Sequence, residues 1–140
     1  MRVLIDTNII LDWLMLRSPF YENAERIMKE CFFGETKGYI TSHTLTDLFY
    51  ILRKDFSIEK RKQLLLLLCR HFQVIYEDKT IIVSVLMDDK VKDFEDGLQM
   101  MCASIQSLDY IVTRNISDFK ASIIPAISPE KFLEMKGAEF

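Results

Sequence analysis

The chain has no surplus of positive charge: 21 acids outnumber 18 lysines and arginines, for a net charge of −3. That argues against a protein that grips nucleic acid by bulk electrostatics, which works by neutralising phosphates with Lys and Arg. A nuclease whose acidic centre is neutralised by a metal stays open. The three cysteines, Cys31, Cys69 and Cys102, are odd in number, widely spaced and form no C-x-x-C pair, so they are read as reduced thiols. Neither His43 nor His71 has zinc-like spacing. The longest unbroken apolar run, Leu64 to Cys69, falls far short of the roughly 20 residues a membrane-spanning helix needs. The first apolar run is broken by Asp6, so no secretory leader is expected. Internal repeats, low-complexity tracts and linkers are also lacking. A soluble, cytoplasmic protein without a membrane partner is the expectation.

What the chain does have is apolar residues, 49% of its 140 positions, enough for one domain spanning 1–140 to bury a core without staples. Val3-Leu4-Ile5 reads as a short strand buried on both faces, leading through Asp6-Thr7-Asn8 into a helix with Ile9, Ile10, Trp13 and Leu14 at helical spacing. Pro19, at or near a first helical position, opens a helix whose stripe runs from Tyr21 to Cys31 and fades at Gly34. Gly38 introduces a second strand, Tyr39-Ile40-Thr41. Ser42 or Thr44 then caps a helix carrying Leu45, Leu48, Phe49 and Leu52. A helix from about Ser57 ends in the Leu64–Leu68 block, which reads as core. Gln73 to Tyr76 is a third strand. Ile81 to Met87 reads as a buried helix, with a strand also open; Asp88-Asp89-Lys90 is a solvated loop. Asp93 starts a helix with Leu98, Met101, Cys102 and Ile105 on its buried side. Tyr110 to Thr113 is a fourth strand, Ile123 to Ile127 contains a fifth, and Ser128-Pro129-Glu130 begins a last helix. Strands mostly separated by helices predict an α/β fold with three α/β/α layers around a central, mostly parallel five-stranded sheet.

In such a sheet acids at strand ends share one edge, the edge where open α/β folds bind ligands. Asp6 ends the first strand, and Asp118 follows the fourth after Thr113-Arg114-Asn115. Asp6 also suits a helix N-cap. Asp96 lies in the first turn of the helix opened by Asp93, where Asp93-x-x-Asp96 resembles a capping box. Asp47 points away from its helix's apolar stripe, yet Tyr50 and Ile51 flank it, which suggests a partly covered site. Carboxylates crowded together need a cation to stay ionised, and an all-oxygen set suits Mg²⁺ or Mn²⁺. Such an ion can activate a water and stabilise charge on a phosphodiester under in-line attack.

The segments Val3-Leu4-Ile5-Asp6-Thr7-Asn8, the mid-chain helix with Asp47, Phe94-Glu95-Asp96-Gly97-Leu98-Gln99 and Ile111-Val112-Thr113-Arg114-Asn115-x-x-Asp118-Phe119 together resemble the PIN domain family. The resemblance covers essentially the whole chain, and small stand-alone domains of this size are similar to VapC-type toxins of toxin–antitoxin pairs. It implies a Mg²⁺- or Mn²⁺-dependent endoribonuclease held inactive by a cognate antitoxin, with a homodimer as the expected assembly. Asp6, Asp96 and Asp118 take the metal-binding positions, and Asp47 completes the catalytic acids. Asp47 stands where the family commonly has Glu and, one methylene shorter, would reach the ion through water. Thr7, Asn8, Thr113 and Asn115 would hold the acids by hydrogen bonds. Arg114 would contact a substrate phosphate, the alternative being a salt bridge to one of the acids. Glu95, about 100° round the helix from Asp96, is expected to be structural.

Two further readings are kept beside this one. A catalytically degenerate PIN domain would bind RNA or protein without cutting. A receiver or haloacid-dehalogenase-like fold would use aspartate chemistry, but the phosphatase pattern wants Asp-x-Asp where Asp6-Thr7-Asn8 has Asn.

Overall fold

The computed structural model describes residues 1–137, so the last three positions of the expected 1–140 domain lie outside the described residues. Five strands, β1 (Arg2–Ile5), β2 (Lys37–Thr41), β3 (Gln73–Ile75), β4 (Tyr110–Val112) and β5 (Ala126–Ile127), form one sheet in the order β3-β2-β1-β4-β5. Every neighbouring pair is parallel. Among the described residues seven α-helices accompany them, the first six between strands and the last after β5: α1 (Thr7–Leu14), α2 (Tyr21–Phe33), α3 (Ser42–Ile51), α4 (Ile58–His71), α5 (Lys79–Leu86), α6 (Phe94–Ile105) and α7 (Pro129–Gly137).

The three layers follow from the two-residue period of a strand, which sends successive side chains to opposite faces. Val3, Ile5, Ile40 and Val112 pack with residues of α1, α2, α3, α4 and α7 on one face. Leu4, Tyr39, Ile75 and Ile111 pack with α5 and α6 on the other. The expected α/β/α architecture is thus present. Among the described residues no helix is long and apolar enough to cross a membrane.

Side-chain caps set several helix starts. Ser57 accepts from Lys60 N–H, Asp78 from Ile81 N–H and Asp93 from Asp96 N–H, each closing an otherwise unpaired first-turn donor. Asp78 also settles the 81–87 segment as helix: once capped, it buries Ile81 and Val85, one turn apart. Elsewhere the expectations shift. Pro19 precedes α2 by two residues instead of opening it, and α3 is capped by Thr41, not by Ser42 or Thr44. Ile105 is 54% exposed, its expected place in the core taken by Met100 and Ala103. In the 64–68 block Leu68 is fully buried while Leu66 faces out, because a helix rotates consecutive leucines through all directions. Tyr76 and Thr113 fall just past their strands.

Gly38 shows how tightly β2 is seated. A Cβ there would lie 2.5 Å from Cε1 of the buried Phe72 ring and 3.0 Å from Cys31 Sγ. Gly38→Ala is therefore expected to overpack the core and lower the unfolding free energy by about 1–3 kcal/mol. Urea unfolding checks this; a variant as stable as the parent would show that the ring has room to move.

Candidate functional site

The carboxyl ends of β3, β2, β1 and β4 form one rim, and the chemistry-bearing side chains gather along it. Asp6 follows β1, the middle strand. Its backbone N–H continues the sheet by donating to Val112 O at 3.1 Å. This register sets it beside Thr113, whose Oγ1 donates to Asp6 Oδ2 at 2.8 Å. Gln99 Nε2, from α6, donates to Oδ1 at 3.3 Å. Asp6 occupies the N-cap position of α1 with extended backbone but makes no capping hydrogen bond. It is 5% exposed. Burial pushes its carboxyl upward, opposed by the bonds from Thr113 and Gln99 and by the Thr7 and Asn8 N–H groups.

Asp96 is half-buried on the first turn of α6. Burial first, then the charges of Asp93, Asp6, Asp118 and Glu95, push its carboxyl up to about 7. Asp93 supplies the helix cap, so the carboxylate of Asp96 is not needed for that task. Asp118 lies exposed in the 3-10 turn Ile116–Phe119 that follows β4. Asp6, Asp96 and Asp118 are thus near enough to act on one another. Among the described residues, however, they do not form a group whose ligand atoms all fall within 4.8 Å. Asp96 and Asp118 line a cavity of about 300 Å³ together with Lys90, Lys92 and Lys120. Asp6, Asp96 and Asp118 offer only oxygen donors, those of Asp6 and Asp96 with raised proton affinity, and Gln99 Oε1 is buried with no partner among the described residues. Such a set fits a hard divalent cation, which would compensate the crowded charge.

The group that does meet the 4.8 Å spacing is His43, Asp47 and Glu95. Asp47 is half-buried, and its close partner is Glu95, whose carboxyl is pushed up by burial and then by the hydrogen bond and charge of Asp47. Glu95 does point away from Asp96, as a neighbouring helical residue must, but toward Asp47 rather than into a purely structural position.

The expected supporting residues divide. Thr113 holds Asp6, whereas Thr7 Oγ1 pairs with Thr44 Oγ1 at 2.8 Å. The backbone N–H of Asn115 donates to Thr113 Oγ1. Among the described residues, the side chains of Asn8 and Asn115 make no hydrogen bond to any of the acids. Arg114 pairs with an acid outside the expected set: its Nε and Nη2 donate to Asp12 Oδ2 and Oδ1 at 2.7 and 3.1 Å, and its guanidinium lies over the Phe20 ring. Asp12 is 1% exposed and also lies 3.7 Å from Arg17. A bidentate pair on a buried carboxylate is geometrically committed, so phosphate contact by Arg114 would compete with that pair. Sequence reasoning gave no role to Asp12, Gln99, His43 or Glu77. A buried-face glutamine three residues after Asp96 was the one local signal available.

With strand order, rim and acids in place, the comparison with known proteins is direct. The chain matches the family model "PIN domain" over residues 2–117 and belongs to that family. A toxin–antitoxin complex from Klebsiella pneumoniae is similar in structure, with TM-score 0.68, 22% identity, and coverage of 91% of this chain and 97% of that one. VapBC-1 from nontypeable Haemophilus influenzae gives TM-score 0.68 and 19% identity over 93% and 99%. VapC20 of Mycobacterium tuberculosis, a toxin described as cleaving the sarcin-ricin loop, gives 0.62 and 10% over 78% and 86%. No curated protein matches by sequence.

An acid whose pKa is raised on folding keeps its proton after the unfolded chain has lost it. Stability then falls as pH rises from about 4 through about 7, the window set by Asp96. Asp96→Asn removes this penalty. In EDTA the variant should match the parent near pH 4 and exceed it by about 1 kcal/mol at pH 8, a figure discounted for a half-exposed group. Urea titrations across that range test it; a variant weaker than the parent at pH 8 would mean the carboxylate stabilises the fold.

Proposed function

We propose that this single PIN domain is a Mg²⁺- or Mn²⁺-dependent endoribonuclease, the toxin of a cytoplasmic toxin–antitoxin pair, acting as a homodimer and restrained by a cognate antitoxin. The observation that carries this reading is the buried Asp6 carboxylate, held by two neutral donors at the end of the central strand and facing further acids. A buried anion with no cationic partner of its own is costly, and a divalent ion answers that cost. Family membership and the likeness to toxin–antitoxin structures support the same reading.

Asp6, Asp96 and Asp118 would hold the ion. When bound there, it supplies a polarised water and stabilises the charge developing on the scissile phosphate. Thr113 and Gln99 keep the Asp6 oxygens in place, and Gln99 Oε1 remains as an acceptor for a water. Asp47, lying with His43 and Glu95, is assigned a place beside this centre rather than within it. We assign phosphate contact to Lys90, Lys92 and Lys120 around the cavity. These flexible, exposed cations serve as point charges for a phosphate chain, which the net charge of the protein otherwise repels.

Incubation of the purified protein with structured RNA should give cleavage that needs Mg²⁺ or Mn²⁺ and stops in EDTA. Asp6→Asn and Asp118→Asn should each lower it by more than about 100-fold, beyond the effect of removing a group that only supports a ligand. RNA binding without cleavage in every metal would instead favour a degenerate binding module. Cleavage surviving in EDTA would overturn the metal assignment.

Replacing Lys90, Lys92 and Lys120 by Ala should raise KM while leaving kcat nearly unchanged. Each loss should also reduce the slope of log K against log salt by about 1. Binding curves at several salt concentrations measure this, and an unchanged slope would remove the lysines from the interface.

A further inference from the structure

α3 leaves the end of β2 with His43 in its first turn and Asp47 one turn later, so both side chains lie on one face. The first turn of α6, in the opposite helical layer, brings Glu95 to the same place. One imidazole nitrogen and one oxygen from each carboxylate lie within 4.8 Å of one another. Ion–ligand bonds of about 2.0–2.2 Å put donors on one ion within about 4.4 Å of each other. Closing the difference takes a few tenths of an ångström, which the exposed Glu95 can supply.

The imidazole is already oriented. His43 Nδ1 lies 2.8 Å from Glu77 Oε1 and 3.0 Å from Thr41 Oγ1. Glu77 is fixed in turn by Ser42 Oγ, which donates to Oε2 at 2.7 Å. An ionised carboxylate only accepts, so in the neutral ring Nδ1 carries the proton and Nε2 presents its lone pair. His43 Nε2 is buried and has no hydrogen-bond partner among the described residues. A buried glutamate holding one ring nitrogen while the other stands free is the arrangement found behind metal-binding histidines.

We propose that His43 Nε2, Asp47 and Glu95 form a cation site of their own for a divalent transition metal such as Zn²⁺ or Mn²⁺, distinct from the Asp6–Asp96–Asp118 acids. The nitrogen donor sets the selectivity: imidazole suits Zn²⁺ and its neighbours, whereas Mg²⁺ prefers an all-oxygen shell. Because α3 packs on one face of the sheet and α6 on the other, an ion held here ties the two helical layers together across the rim. Glu77 is a positioning residue that acts through His43. The site stands on its own geometry and does not depend on the nuclease assignment.

The test uses Co²⁺ as the probe, in the full chain carrying Asp6→Asn and Asp118→Asn so that the neighbouring acids are disabled. One equivalent of Co²⁺ should bind with a visible absorption spectrum of nitrogen–oxygen ligation, be displaced by Zn²⁺ and persist in excess Mg²⁺. Adding His43→Asn should abolish that spectrum. Asp47→Asn should do the same without disturbing the Glu77 contact, which covers the case of a His43 variant that folds poorly. Glu77→Gln should weaken binding by about 10–100-fold while leaving the spectrum in place. A spectrum unaffected by either His43→Asn or Asp47→Asn overturns the proposal, as does displacement by Mg²⁺ or a failure to bind Co²⁺. RNA cleavage in the unmodified chain is a separate readout. Mg²⁺-dependent cleavage without Co²⁺ binding rejects this site alone, and Co²⁺ binding without cleavage rejects the nuclease alone.

Discussion

A carboxylate buried at the end of the central strand is the constraint to which the rest of the rim answers. β1 has neighbours on both sides and helices on both faces, so the residue that follows it cannot escape to water. Asp6 therefore takes its hydrogen bonds from whatever the fold brings past. The β1–β4 register, with Ile5 opposite Val112, delivers Thr113 one step further on. The packing of α6 on the other face delivers Gln99. Both donors are neutral, so they fix the oxygens in space without cancelling the charge. The uncancelled charge then raises Asp96, already lifted by its own burial. Position at the rim, rather than any local sequence signal, makes these acids a candidate site.

Much of this was legible because the governing rules are local or topological. Apolar periodicity gave the helices, and alternation of strands with helices gave a parallel sheet whose carboxyl edge collects Asp6, Asp96 and Asp118 in one region. Errors fell where neighbouring residues compete for one task. Thr41, Ser42 and Thr44 can all cap a helix, and the task falls to Thr41, the last residue with extended backbone before α3. Met100 and Ile105 can both fill a core, and the contact of α6 with α5 decides between them. Side-chain partners were the least legible. Asp12 and Arg114 are 102 positions apart, and no pattern in either segment announces their pairing. Glu77 reaches His43 only because β3 pairs with β2. The sequence resemblance treated Asp6, Asp47, Asp96 and Asp118 as one set, and nothing in it distinguishes the two neighbouring groups in which the fold places them.

That distribution has a physical basis in the helix that carries Glu95 and Asp96. Adjacent helical residues diverge by about 100°, so one turn of α6 addresses two places at once: Asp96 toward Asp6 and Asp118, Glu95 toward Asp47 and His43. A run of hydroxyls joins the two sides at their base. Thr7 meets Thr44 at 2.8 Å, Thr44 meets Thr41 at 3.0 Å, and Thr41 meets His43 Nδ1 at 3.0 Å. The Thr7 hydroxyl, directly after Asp6, thus belongs to the scaffold of the neighbouring group, while its backbone N–H serves the acid beside it.

Positive charge is arranged by the same economy of burial. Arg114 follows the strand end next to Asp6, the place from which a cation would most directly neutralise the acids, yet it turns to the buried Asp12. A buried carboxylate left without that partner would cost several kcal/mol, which is ample to hold the arginine. The rim therefore keeps its negative character, a condition for attracting a divalent ion. The lysines that could receive a phosphate chain sit outside it, on Lys90, Lys92 and Lys120, where solvent screens them from the acids. Had Arg114 bridged to Asp6 instead, the negative charge at the end of the central strand would already be cancelled. Under the proposed function, this separation of buried anions from exposed cations would let one acidic protein both concentrate a metal ion and face a polyanion.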